Sequence, residues 1–177
     1  MYTVGLHSKN ISTENDLLKV TTDYTLDNFP AADYIIIPGA NMKIIEGLEN
    51  NKVLADFIRK ENSNPSTKIV SICTASYLLA YSGILNDKKA TTHYFVADDF
   101  SKKFPQITLI RDVRFVDEGK VITSSGITSG IDAALYIVGL RSGEKIQEMI
   151  NRALQYNYGE NNKWPTAMKN MSYKSNQ

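Results

Sequence analysis

The sequence predicts an α/β fold in which a mostly parallel sheet is covered by helices on both faces. Three observations carry this. Short apolar runs alternate along the chain with helical patterns. One of those runs, Asp33-Tyr34-Ile35-Ile36-Ile37, is apolar on successive residues, as a strand buried on both faces requires, and stops at Pro38-Gly39-Ala40. Another, Lys68-Ile69-Val70-Ser71-Ile72, leads straight into the helical pattern Ala75-Ser76-Tyr77-Leu78-Leu79-Ala80 through Cys73, the chain's one cysteine.

Taken in order, Thr3-Val4-Gly5-Leu6 opens as a strand, and the Asp33–Ile37 strand is followed by a helix over about Asn51 to Lys60. The polar stretch Asn62-Ser63-Asn64-Pro65-Ser66 connects that helix to Lys68–Ile72, and the helix after Cys73 ends near Ser82-Gly83, where glycine serves as a C-cap. A further helix runs from Phe95 to Phe104 and is stopped by Pro105. Val113–Val116 and Lys120–Thr123 flank Asp117-Glu118-Gly119, a hairpin turn. Ser129-Gly130-Ile131-Asp132 starts an apolar helix through Leu140, and Gly143 to Asn157 carries Ile146, Met149, Ile150 and Leu154 at helical spacing. The tail 157–177 is polar apart from Trp164, Met168, Met171 and Tyr173 and is expected to wrap the surface or fray.

At 177 residues, with no shift in composition, the chain reads as a single domain over 1–177 with its core over about 3–156. The net charge of +1 offers no field for nucleic acid or an anionic membrane, so neither is expected as a partner. No basic segment leads into a long apolar stretch and no run of about eighteen apolar residues occurs, so a cytoplasmic protein is expected. A lone cysteine forms no internal disulfide, and His7 and His93 are the only histidines, so no metal or other cofactor is expected.

Cys73 has two readings. A thiol on a strand-to-helix turn is presented above a sheet, and the N–H groups and positive end of the following helix favour its thiolate. Cysteine is also among the most buried residue types, and packing alone explains many of them. Thr74 offers a hydroxyl and an N–H to a substrate, or caps the helix. Gly39 ends its strand where open parallel sheets bind ligands, or serves the turn alone. His93 is a general-base candidate or a hydrogen-bonded structural residue. Asp132, at a helix start, complements the dipole.

Four segments in order, Asp33–Ala40, Ile69–Ala75, Gly83–His93 and Thr123–Asp132, resemble the ThiJ/PfpI family of the class I glutamine amidotransferase-like superfamily. The likeness runs from about Thr3 to Tyr156, and within the family is nearest to isonitrile hydratases and to the sensor domains of AraC-type regulators, which share the Cys-Thr, Ala-Thr-Thr-His and Ser-Gly-Ile-Asp segments. It implies a flavodoxin-like three-layer sandwich with Cys73 on a nucleophile elbow. The implied catalytic set is Cys73, His93 and Thr74, with backbone N–H groups of Gly39, Ala40 and Thr74 at the oxyanion or substrate site, and a homodimer as the assembly. Family members have a second glycine where this chain has Ala40, a departure expected to tighten the turn.

The resemblance also implies an N-terminal strand, a helix and an acid beside the cysteine sulfur that the sequence does not show before Thr3. Three explanations stand: a truncated reading of a longer protein, which is the one expected, a shortened paralogue, or a fold completed by another chain. Glu14, Asp16 and Asp23 fall in the region of a hairpin after the family's second strand, and none matches that acid by motif. The functional expectation is therefore a hydratase or hydrolase of small carbon electrophiles, isonitriles among them, working through Cys73. The alternative is a non-catalytic ligand- or redox-sensing or stress-response domain, or an inactive paralogue. A peptidase is disfavoured because Thr74 rather than histidine follows the cysteine, and a glutaminase because no His-x-Glu occurs near the carboxyl end.

Overall fold

The computed structural model describes residues 1–13 and 16–156. Glu14 and the tail 157–177, with Trp164, Met168, Met171 and Tyr173, lie outside the described residues. The chain divides into two compact units, Met1–Asp33 and a second beginning at Tyr34.

In the first unit β1 (Val4–Gly5) pairs in parallel with β4 (Tyr24–Thr25), and β2 (Asn10–Ser12) pairs antiparallel with β3 (Lys19–Thr21). The Asp23 carboxylate accepts from the Thr3 N–H at 2.7 Å and the Thr3 hydroxyl at 2.9 Å, which holds its pKa below the usual range. The first strand is shorter than the four residues expected, and the hairpin region of the family is present as β2 and β3.

The second unit is built on one four-stranded sheet: β5 (Tyr34–Ile37), β6 (Lys68–Ile72), β10 (Val121–Ser124) and β9 (Phe115–Asp117), in that spatial order. β6 lies between β5 and β10, parallel to both, and β9 closes the sheet antiparallel. Alternate residues serve opposite faces. Ile69 and Val121 join a core with Ile58, Leu79 and Phe100, and Val70 and Ile122 join a second core with Phe115 and Ala133. Those two cores are the two interlayer spaces of the expected three-layer sandwich. β5 stands at the sheet edge, and there Ile36 is 55% exposed, so its three isoleucines are only partly covered.

On one face lie α2 (Lys52–Ser63), α3 (Ser76–Tyr81) and α4 (Ala97–Lys103); α5 (Ser129–Ser142) covers the other and packs on α6 (Glu144–Ala153). A short helix that the apolar pattern did not reveal, α1 (Met42–Gly47), follows β5, capped by Asn41, whose side chain accepts from the Ile44 N–H. Asn51 caps α2 in the same way, through Leu54. Gly83, φ +82°, and Gly143, φ +84°, end α3's segment and α5 in conformations that favour glycine. The hairpin turn is as expected, with Asp117 accepting from the Gly119 N–H at 2.7 Å and the strands one to two residues later than the apolar runs suggest. A further parallel pair, β7 (Lys89–Ala90) with β8 (Thr108–Leu109), was not legible. Among the described residues no helix is long and apolar enough to cross a membrane.

Tyr77 sits at the centre of the larger core, fully buried. Its ring meets Phe100 at 5.0 Å and Phe104 at 5.6 Å between centroids, and its hydroxyl lies 3.0 Å from the Val96 carbonyl oxygen and 2.9 Å from Asp99 Oδ2. Urea denaturation is expected to show Tyr77→Ala losing about 3–5 kcal/mol of stability. Tyr77→Phe, which removes only the hydroxyl, is expected to lose about 1–2 kcal/mol.

Candidate functional site

The parallel strands β5 and β6 end side by side, so the loops that follow them, Pro38–Ala40 and Cys73–Ala75, are neighbours. Cys73 has φ +59°, a left-handed backbone unusual for a side chain with a Cβ. It begins a single 3₁₀ turn, Cys73–Ala75, that runs into α3, and the Ser76 N–H donates back to the Cys73 carbonyl. This is the sharp strand-to-helix elbow that the sequence implies.

Gly39 is pressed against that elbow. A Cβ there would stand 2.9 Å from the Ile72 carbonyl oxygen and 3.0 Å from both Cys73 Cβ and Thr74 Oγ1, so the close approach itself requires glycine. Thr74 joins the two loops: its hydroxyl donates to the Ala40 carbonyl at 2.7 Å and accepts from the Ala40 N–H at 3.0 Å. The Ala40 N–H is therefore already engaged, and Pro38 has none. Ala40 is not among the residues with positive φ, so the change from the family's glycine introduces no backbone strain at that position.

Burial pushes the Cys73 thiol up from its ordinary pKa, and the N–H and hydroxyl of Thr74 only partly offset this. The expected stabilisation of the thiolate by the helix is thus outweighed. Cys73 opens a 3₁₀ turn and the α-helix after it is only six residues long, while partial burial already desolvates the sulfur. Among the described residues no charged side chain contributes to the shift.

His93 is half-buried at the start of a 3₁₀ turn, with its Nδ1 accepting from the Phe95 N–H at 3.3 Å and its ring against Tyr94. Burial holds its pKa below the usual histidine value. With Nδ1 accepting, the ring proton of the neutral imidazole is placed on Nε2. No hydrogen bond joins His93 to Cys73 among the described residues.

Asp132 is 1% exposed in the first turn of α5, where Arg114 Nη1 lies 3.2 Å from its Oδ2 and the Tyr156 hydroxyl donates to the same oxygen at 3.0 Å. Burial raises its pKa against those two partners. This matches the structural, helix-start reading of the residue. Two hydroxyls that sequence reasoning passed over also touch the elbow: Ser76 Oγ is 3.2 Å and Thr92 Oγ1 3.4 Å from the Cys73 carbonyl oxygen. The only local signal for them is hydroxyl residues at the first turn of a helix and directly before His93. Among the described residues no group of three or more His, Cys, Asp or Glu is placed to hold a metal ion.

Iodoacetamide alkylation of the native protein across a pH series should give a midpoint above the free-thiol value of about 8.5, falling to that value in urea. Gly39→Ala must displace backbone at Ile72 as well as the elbow, so it is expected to change the alkylation rate at pH 8 by about tenfold and to lower Tm; a rate and Tm equal to wild type would show that the close approach does not shape the elbow.

Comparison with known proteins follows from this geometry. The isonitrile hydratase of Pseudomonas putida is 33% identical over 141 residues, covering 78% of this chain and 58% of that protein. An HTH-type transcriptional regulator of Pseudomonas aeruginosa is 25% identical over 142 residues, covering 80% of this chain and 37% of the regulator. The chain thus spans between about a third and three-fifths of the length of these relatives. A ThiJ/PfpI family protein from Pseudomonas syringae shares the fold with a TM-score of 0.74 at 23% identity, over 89% of this chain and 63% of that one. The model of the DJ-1/PfpI family matches residues 1–140, and the chain belongs to that family.

Proposed function

We propose that the protein is a cysteine-dependent hydratase of small neutral carbon electrophiles, of the isonitrile class, with Cys73 as the attacking group. The observation that most supports this is the elbow: a left-handed Cys73 with Gly39 pressed against it and the Thr74 N–H at its sulfur, in a chain 33% identical to an isonitrile hydratase.

In this reading the thiol sulfur bonds to the terminal carbon of R–N≡C and the thiol proton goes to the same carbon, giving the thioimidate R–N=CH–S–Cys73. Water then adds to that carbon, the C–S bond breaks, the sulfur regains a proton, and R–NH–CHO leaves. The sum is addition of one water. A thiol kept protonated by burial suits the first step, because the proton it carries is the one the carbon needs. In this reading the Thr74 N–H, which lies at the sulfur, stabilises the negative charge that develops during addition, the Gly39 N–H is assigned as its partner, and the Nε2–H of His93 is a donor for the substrate or the water.

Incubation with an alkyl isonitrile is expected to add one isonitrile mass at Cys73 and to accumulate the formamide, with Cys73→Ala lowering turnover by at least about a thousandfold. Neither adduct nor turnover with isonitriles, α-oxoaldehydes or amides would sink the enzymatic reading.

A second reading, ligand or redox sensing, is favoured by the lack of any carboxylate hydrogen-bonded to the sulfur among the described residues and by the regulator relative. Mass spectrometry after mild peroxide separates the two: a stable sulfinate on Cys73 without isonitrile turnover selects the redox sensor.

A further inference from the structure

Ser76 and Thr92 are buried hydroxyls, at 0% and 3% exposure, with no part in the chemistry above. Ser76 Oγ is 2.7 Å from Thr92 Oγ1, and both oxygens lie against the carbonyl of Cys73, at 3.2 and 3.4 Å. Each hydroxyl has one proton, and the geometry makes a short chain: Ser76 donates to Thr92, and Thr92 donates to the Cys73 carbonyl. The Ser76 backbone N–H donates to that same carbonyl. Two donors from distant parts of the chain, the Thr92 hydroxyl and the Ser76 N–H, therefore converge on one oxygen, and Ser76 Oγ orients the first of them.

That oxygen belongs to the peptide joining Cys73 to Thr74. A trans peptide is planar, with its C=O and N–H pointing in opposite directions, so holding the carbonyl also sets the direction of the Thr74 N–H. The Thr74 N–H is the backbone donor to the cysteine sulfur. We propose that Thr92, acting with Ser76, is a positioning residue: the two hydroxyls lock the Cys73–Thr74 peptide plane and keep the Thr74 N–H aimed at the sulfur and at the charge that forms there. The proposal rests on Cys73 being the reacting group. It also gives the two threonines before His93 separate tasks, since the Thr91 N–H is held by the Thr123 hydroxyl at 2.9 Å while Thr92 turns to the elbow.

Thr92→Val keeps the shape and removes the hydroxyl, Thr92→Ser keeps the hydroxyl, and Thr92→Val with Ser76→Ala removes both side-chain donors. Alkylation of Cys73 by iodoacetamide is read across pH, with Tm as the check on folding. A misaimed N–H forfeits a hydrogen bond to the thiolate, so Thr92→Val is expected to raise the midpoint by about half a pH unit or more and to slow alkylation at pH 8 by about three- to tenfold. The double variant shifts further, because Ser76 can no longer turn to the carbonyl in place of Thr92, and Thr92→Ser titrates as wild type. Loss of packing alone would lower Tm and leave the midpoint where it is. A Thr92→Val protein and a double variant that both titrate within about 0.2 pH unit of wild type, whatever their Tm, overturn the proposal. The measurement needs no turnover, so a wild-type protein inactive on isonitriles would count against the hydratase while leaving this result readable.

Discussion

A left-handed backbone at Cys73 is the constraint to which its neighbourhood answers. A residue with a Cβ in this region stores on the order of 1–3 kcal/mol, which other contacts must hold in place. Gly39 yields the space into which the turn is pressed. Thr74 ties the turn to the loop after β5 with two hydrogen bonds to one residue, Ala40. The Ser76 N–H and the Thr92 hydroxyl, itself held by the Ser76 hydroxyl, hold the carbonyl on the other side. Thr74 and Ser76 belong to the turn itself, but Gly39, Ala40 and Thr92 reach it from two other segments, so the strained turn depends on the folded sheet and helices as well as on local sequence.

The electrostatics of the site are set by desolvation more than by charge. Burial raises the pKa of Cys73 and lowers that of His93, so both side chains are neutral near pH 7. The linkage signs differ. Protonated Cys73 favours the native state fully below the unfolded thiol pKa, and this contribution is lost as pH rises through the folded value. Neutral His93 favours the native state above the unfolded histidine pKa, and its contribution is lost as pH falls through that range. Between the two unfolded values lies a window in which both contributions are present in full, stability does not vary with pH through either group, and both side chains are neutral.

The strands β5, β6 and β10 were legible because each is a run of apolar residues long enough to show, and the hairpin turn at Asp117–Gly119 because its residues belong to turns. The helix stop before Pro105 and the glycine at φ +82° after α3 were legible for similar reasons. Helix α1 and the two-residue strands β7 and β8 are too short for periodicity to register. At the candidate site, the Cys73-Thr74 turn and the Pro38-Gly39 turn were each legible as the end of an apolar run. Their detailed roles were not, because the capture of the Ala40 N–H by a threonine 34 positions later and the approach of Thr92 to the Cys73 carbonyl across 19 positions exist only after folding. The choice between the two readings of the thiol was not legible for a related reason: a turn and a helix can be read from neighbours, but how far a sulfur is buried cannot.

The parallel pairing of β6 with β10 has a temporal side. Ser71 and Ser124, which meet across that pair, are 53 positions apart in the chain, so the pairing waits on a long loop closure and belongs to the slow class of folding events. Until it closes, Cys73 is an ordinary solvated thiol, quicker to ionise and to oxidise than the one in the finished protein. Partial shielding of the sulfur therefore records the completion of folding, and the thiol is most open to oxidation before the sheet has closed.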